Sequence, residues 1–333
     1  MCTYLFFYLT VQVLVVLTLS LIQVASRKSK NTPNNTIINA SSRLVTPPHS
    51  PTNSHPHQVL PAWKDNFTLF IPELPGYGQS TLPTSSLQTT PPTYNKRQIG
   101  LSLLEALNSV LGPASQTRPI HWIAHDRGAR IGHRLLTSPS PPPNIKSAVF
   151  IDIVPTLEQW RAFAHPAAST AYFHWPFLAM GTAPQVIKGM GGEAFCRMIL
   201  ARGRGANVAG QAKIDSEDAY GHYAKIFGRD DAIEGSCADY AGGAAEECEA
   251  QAAEQPSGVK VRVPLLVIYS EGSLGRMNDV EGVWPEWVEG GVRGVGFVRV
   301  GDGHGHYLPE SADGLVAEKV VEFVQKGLEG ARL

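Results

Sequence analysis

Pro119–Gly128 reads PIHWIAHDRG. Its first part, Pro119–Ala124, has the composition of a short buried strand. It runs without a spacer into His125-Asp126-Arg127-Gly128, and Ala129–Leu136 then has helical character. Small residues, Ala124 and Gly128, stand two positions before and two after Asp126. That spacing lets a chain turn tightly from strand to helix and push the central side chain out at the carboxyl edge of a sheet. A carboxylate held there is suited to attack alkyl carbon and form an ester. The plainer reading is that Asp126 caps the helix that follows.

Working outward, the same rhythm recurs. Phe67–Pro72 (FTLFIP), Ala148–Ile153 (AVFIDI), Pro264–Tyr269 (PLLVIY) and Val295–Val300 (VGFVRV) read as strands. Gln98–Leu111 and Leu315–Val324 carry apolar residues at helical spacing, the first ending at Gly112-Pro113. Short continuous apolar strands alternating with helices predict an α/β fold: a mostly parallel sheet with helices on both faces. The expected organisation is a sheet core over 59–154, an inserted helical cap over 155–263 and the rest of the core over 264–333.

The N-terminal residues differ. Residues 4–25 carry no charge, and about 22 residues suffice to span a hydrocarbon core. Residues 1–25 therefore read as a membrane or signal-like segment, with membrane attachment through 4–25. They imply a membrane-anchored or secretory chain if genuine, and a cytoplasmic one if they come from a misread gene start. Residues 26–58 have the Ser/Thr/Asn/Pro content of a linker.

The chain as a whole has 28 basic and 29 acidic residues, a net charge of -1, which argues against a nucleic-acid partner. Its four cysteines, Cys2, Cys196, Cys237 and Cys248, form neither a disulfide framework nor a Cys-x-x-Cys pair, so no metal site is expected.

Two further residues join Asp126 on the predicted sheet edge. Asp152 lies at the end of the strand Val149–Ile153. His304 and His306 lie in the Gly-rich loop Gly303–Glu310 (GHGHYLPE) after the last strand. Acid, acid and His in this order form a hydrolytic triad in which the His activates water against the ester. Both histidines compete for that role.

From about Leu60 onward the chain resembles the α/β-hydrolases of the haloacetate (fluoroacetate) dehalogenase subfamily, close to the epoxide hydrolases. Pro72–Ser80 (PELPGYGQS), His125–Leu135 (HDRGARIGHRL), Asp152–Thr156 (DIVPT), Tyr172–Leu178 (YFHWPFL), Ser236–Tyr240 (SCADY) and Gly305–Glu310 (GHYLPE) carry the resemblance. It implies Asp126 as the nucleophile, Asp152 as the acid that orients the base, and His306 as the base. It implies Arg127 and Arg130 as the pair that binds a substrate carboxylate, and His174, Trp175 and Tyr240 as donors to the leaving halide. The implied activity is dehalogenation of a short 2-haloacid, with no metal or organic cofactor and with a small molecule as partner; such enzymes often form homodimers. An epoxide hydrolase is the neighbouring alternative, with Tyr240, Tyr220 or Tyr223 as the acid. A vestigial, membrane-tethered relative is the alternative of another class.

The pattern breaks at the N-terminus. The family opens with two strands and a third ending in His-Gly-x-Pro. Here only His49-Ser50-Pro51 stands near that place, without the glycine, and no strand candidate precedes it. The expectation is a truncated N-terminal sheet with an exposed strand edge.

Overall fold

The computed structural model describes residues 13–17, 59–64, 66–77, 80, 94–112 and 117–330. The linker 26–58, with His49-Ser50-Pro51, lies outside the described residues except for its neighbour Val59 onward, as does most of 1–25. Six strands form one sheet: β1 (Val13–Leu17), β2 (Thr68–Phe70), β3 (Ile120–His125), β4 (Ile145–Ile151), β5 (Leu265–Ser270) and β6 (Val295–Val300). Their spatial order is β2-β1-β3-β4-β5-β6. Strands β3 to β6 run parallel, and β1 runs antiparallel to both its neighbours.

Alternate residues of β3, β4 and β5 bury into two cores, one per face. Trp122, Phe150 and Val267 point to one, and Ile123, Val149 and Ile268 to the other. A continuous apolar run is what a strand needs when both its faces are covered. On the first face lie α2 (Lys96–Leu111) and α3 (Asp126–Leu136); α1 (Val59–Lys64) and α16 (Asp313–Gly330) cover the second. Helix α3 lies almost flush on the sheet: a Cβ on Gly132 would stand 2.3 Å from the Trp122 ring nitrogen. Among the described residues, nine α-helices separate β4 from β5. They are α4 (Thr156–Ala162), α5 (Pro166–Ala171), α6 (His174–Leu178), α7 (Ala183–Met190), α8 (Gly192–Arg202), α9 (Val208–Asp215), α10 (Ala219–Phe227), α11 (Asp230–Gly242) and α12 (Cys248–Glu254). Between β5 and β6 run α13 (Leu274–Met277) and α14 (Val280–Val283), and α15 (Leu308–Ser311) precedes α16.

Within the stretch 4–25 read as a membrane or signal-like segment, Val13–Leu17 form strand β1 of the sheet, while residues 4–12 and 18–25 lie outside the described residues. Val13 to Leu17 pair with Ala124 to Ile120 of β3, and Val15 to Leu17 with Phe70 to Thr68 of β2. That side of β3 is therefore paired, and β2 is the edge strand among the described residues. No helix among the described residues is long and apolar enough to cross a membrane. The reason for the misreading is physical. An uncharged apolar run serves a lipid-facing helix and a fully buried strand equally well, and periodicity cannot separate them. The β-branched Val13, Val15 and Val16 favour the strand.

This pairing is testable. Proline at Val15 removes an N–H from a central strand and orphans its partner carbonyl, at about 1–3 kcal/mol. A drop in thermal midpoint of at least a few degrees is expected on Val15→Pro; an unchanged midpoint would count against β1.

Candidate active site

The end of β3 and the start of α3 hold Asp126 at φ 41°, a left-handed conformation that costs a non-glycine residue energy. Asp152, just past β4, is at φ 53°. Both acids thus leave the sheet at its carboxyl edge on sharply turned backbone. The Asp152 side chain is fully buried. One oxygen accepts from the Ser270 N–H and hydroxyl, each at 2.7 Å, and the other lies 2.7 Å from His306 Nδ1. The opposite ring nitrogen of His306, Nε2, lies 3.9 Å from Asp126 Oδ2. His304 lies elsewhere, with Nδ1 3.1 Å from the Ser311 hydroxyl. Of the two competing histidines, the structure brings only His306 between the acids.

The peptide of His306 is pinned at both ends. Its N–H donates to the Gly203 carbonyl at 2.8 Å, and its carbonyl accepts from His125 Nε2 at 2.9 Å. Burial holds His125 near a pKa of about 4, so its ring is neutral, with the proton on Nε2. Cap residues 203–206 lie directly on the histidine loop. Gly205 bridges His304, and Ala206 N–H donates to the Gly303 carbonyl. The approach leaves no space for side chains: a Cβ on Gly205 would stand 2.3 Å from the Gly305 nitrogen.

Arg127 and Arg130 flank the nucleophile position. Their Nε atoms lie 3.9 and 3.7 Å from the two Asp126 oxygens. Arg127 packs on the Tyr240 ring, 3.5 Å from its centroid, and Arg130 over Trp175 at 4.4 Å. Arg130 Nη1 donates to the Val154 carbonyl at 2.9 Å. Arg127 Nε and Nη2 and Arg130 Nε are buried without a hydrogen bond. Unfilled donors on buried guanidinium groups fit an anion that has yet to arrive. The three expected halide donors are gathered above them, with the Tyr240 ring 5.8 Å from His174 and 5.5 Å from Trp175. Burial holds His174 near a pKa of about 3, so it is neutral at ordinary pH.

Several residues of the site have no role in the sequence pattern. Asp239, fully buried on α11, lies 3.4 Å from Arg127 Nε, accepts from the Tyr77 hydroxyl at 2.7 Å and lies 2.8 Å from Lys96 Nζ. Lys96 also reaches Glu247 at 2.8 Å, and Glu247 accepts from the Thr156 hydroxyl at 2.5 Å. Burial alone would lift the Asp239 carboxyl, but Arg127 and Lys96 hold it below its ordinary value. Asp239 stands inside the Ser236–Tyr240 motif, so its neighbourhood is visible in the sequence. Its partner Lys96 lies 143 positions away and has no local signal. Glu310 lines the active-site cavity, and burial pushes its carboxyl up to about 8.

The fold built around this site is that of the α/β-hydrolases, and the chain resembles that superfamily. Fluoroacetate dehalogenase of a Burkholderia species is 29% identical over 231 residues, 68% of this chain and 70% of that one. A solved candidate α/β-hydrolase from Nostoc sp PCC 7120 is 27% identical with TM-score 0.67, covering 80% of this chain and 85% of its own. A candidate epoxide hydrolase from Pseudomonas aeruginosa is 24% identical with TM-score 0.68, covering 82% and 85%; at that identity it bears on the fold alone. No protein-family model matches the chain. Together these likenesses support a hydrolase as the class of protein.

Two measurements test the electrostatics. Burial disfavours the charged ring of His306, but Asp126 and Asp152 outweigh it and lift its pKa to about 10. Because the folded value is raised, its stabilisation is complete below the ordinary value of about 6.5 and is lost as pH rises through about 10. The thermal midpoint is expected to fall across that window, and less so in His306→Gln; equal falls would sink the assignment. Asp239→Asn leaves Arg127 and Lys96 short of a buried counter-charge. Urea denaturation should show a loss of about 3–5 kcal/mol, and a loss below about 1 kcal/mol would contradict that role.

Proposed function

We propose that this chain is a hydrolase that cleaves the carbon–halogen bond of a 2-halo acid through an ester on Asp126. The observation that carries the reading is three buried N–H donors without a hydrogen bond, Nε and Nη2 of Arg127 and Nε of Arg130, on two guanidinium groups within 4 Å of the Asp126 carboxylate. A substrate carboxylate bridging them stands beside the nucleophile and accepts from N–H groups that have no hydrogen bond within the protein. The Burkholderia relative bears the matching activity in its name.

The chemistry runs in two steps. An oxygen of Asp126 forms a bond to the α-carbon as the carbon–halogen bond breaks, and the halide leaves with the bonding pair toward His174, Trp175 and Tyr240. Water then loses a proton to His306 Nε2 and attacks the Asp126 carboxyl carbon. The ester C–O bond breaks, releasing a 2-hydroxy acid and restoring the carboxylate. The N–H of Arg127, directly after the nucleophile, is one donor position for the tetrahedral oxygen.

The two steps are coupled through His306. In the resting site Asp126 and Asp152 keep its ring protonated, with a pKa of about 10. Esterification removes the Asp126 charge, and the His306 pKa falls toward its ordinary range. The base thus becomes available only once an ester exists for it to act on.

An epoxide substrate is the second reading. Of the three tyrosines considered for it, Tyr240 alone lines the cavities at Asp126. Tyr220 is engaged with the Leu200 carbonyl at 3.1 Å. An uncharged epoxide offers no carboxylate to the unbonded N–H groups of the two arginines, which favours the halo acid.

Incubation with fluoroacetate or chloroacetate is expected to release halide, and Asp126→Asn to abolish it. In His306→Gln a single equivalent of halide should appear, with a mass increase localised to Asp126. Diol formation from an aryl epoxide without any halide release would favour the second reading. The coupling has its own readout: ring-proton NMR should show the His306 titration moving down from about 10 in Asp126→Asn, and an unmoved titration would refute it.

A further inference from the structure

Asp126, His174 and Tyr240 line two cavities. The larger, about 380 Å³, holds Asp152, His306 and Arg130. The smaller, about 120 Å³, takes in Arg127 and Tyr77. Beyond those two, its wall is mainly apolar cap side chains: Leu178 of α6, Phe195 and Leu200 of α8, and Ile226 and Phe227 of α10. Phe195 and Phe227 stack at 5.9 Å, closing its far end with ring faces. A haloacetate has only the attacked carbon, its carboxylate and the halogen, which go to Asp126, the arginines and the His174 and Tyr240 side of the site, so it puts no carbon among the apolar side chains of this annex.

We infer that the smaller cavity is a subsite for an apolar group on the attacked carbon, so that the substrate is a 2-halo acid bearing an α-alkyl chain rather than haloacetate itself. The inference rests on Asp126 being the nucleophile. Because Asp126 belongs to both linings, a carbon within reach of its carboxylate stands at the mouth of the annex. The carboxylate of the same molecule turns to Arg127 and Arg130, and the alkyl chain enters between α8 and α10. An apolar cavity of about 150 Å³ stays dry and accepts benzene, so this one suits a chain of about four carbons. The only charged residues in the lining of the annex are Asp126 itself and Arg127, which already faces Asp239.

The test is a length series on the native chain. Halide release from chloroacetate, 2-chloropropanoate, 2-chlorobutanoate and 2-chlorohexanoate gives kcat/KM for each. Each added methylene should raise it by about four-fold until the annex is full. Ile226→Trp, which fills the annex from α10, should abolish the climb while the protein melts as the native chain does. In parallel, calorimetric binding of acetate, butanoate and hexanoate tests the annex without chemistry, and tightening with length is expected. A flat series in both turnover and binding overturns the annex; halide release from chloroacetate would then still stand for the nucleophile. Binding that tightens with length while no acid loses halide keeps the annex and overturns the reading of Asp126.

Discussion

The site is organised by one electrostatic constraint. A carboxylate at the end of β3 is kept ionised inside the protein, where burial alone would favour its neutral form. His306, Arg127 and Arg130 hold the Asp126 carboxyl well below its usual range despite that burial. Each of those cations has to be held in turn. Asp152 fixes His306, Asp239 stands against Arg127, and Lys96 and Glu247 extend the alternation of charge to the edge of the cap. Removing one member leaves a neighbour buried and uncompensated, which is why the network spans core and cap together.

The cap therefore does more than cover the cavity. Residues 203–206 press on the histidine loop, α11 supplies Asp239, and the aromatic rings of Trp175 and Tyr240 lie over both arginines. Stacking on ring faces lets a guanidinium be buried while its edge N–H groups stay free for a ligand. The glycines of the clamp allow the two backbones to touch, so the base is positioned by main-chain bonds rather than by side chains that rotate.

Much of this was legible in the chain. The strand-to-helix turn at Asp126 follows from the small residues around it, and β6 occupies Val295–Val300 as its composition predicts. The helix begun at Gln98 starts two residues earlier, where Asn95 caps it by accepting from the Gln98 N–H. The choice between His304 and His306 could not be made from local spacing, because both sit in the same glycine-rich loop. Strand β1 was hidden because an apolar run has no period that separates a membrane span from a buried strand. The Lys96–Asp239 pair was hidden because ion pairing across the fold leaves no trace in either local sequence.

By itself the sequence determined the alternation of strands and helices, the turn that exposes Asp126, and the presence of two acids, two arginines and two histidines in a workable order. These are properties of neighbouring residues: apolar periodicity, tight-turn geometry and side-chain chemistry. The tertiary structure alone decided which histidine meets Asp152, which charges neutralise the arginines, and where Val13–Leu17 goes. It also decided that Asp126 lines two cavities. Those outcomes depend on distances between segments far apart in the chain, and such distances are set only when the sheet and cap close on each other.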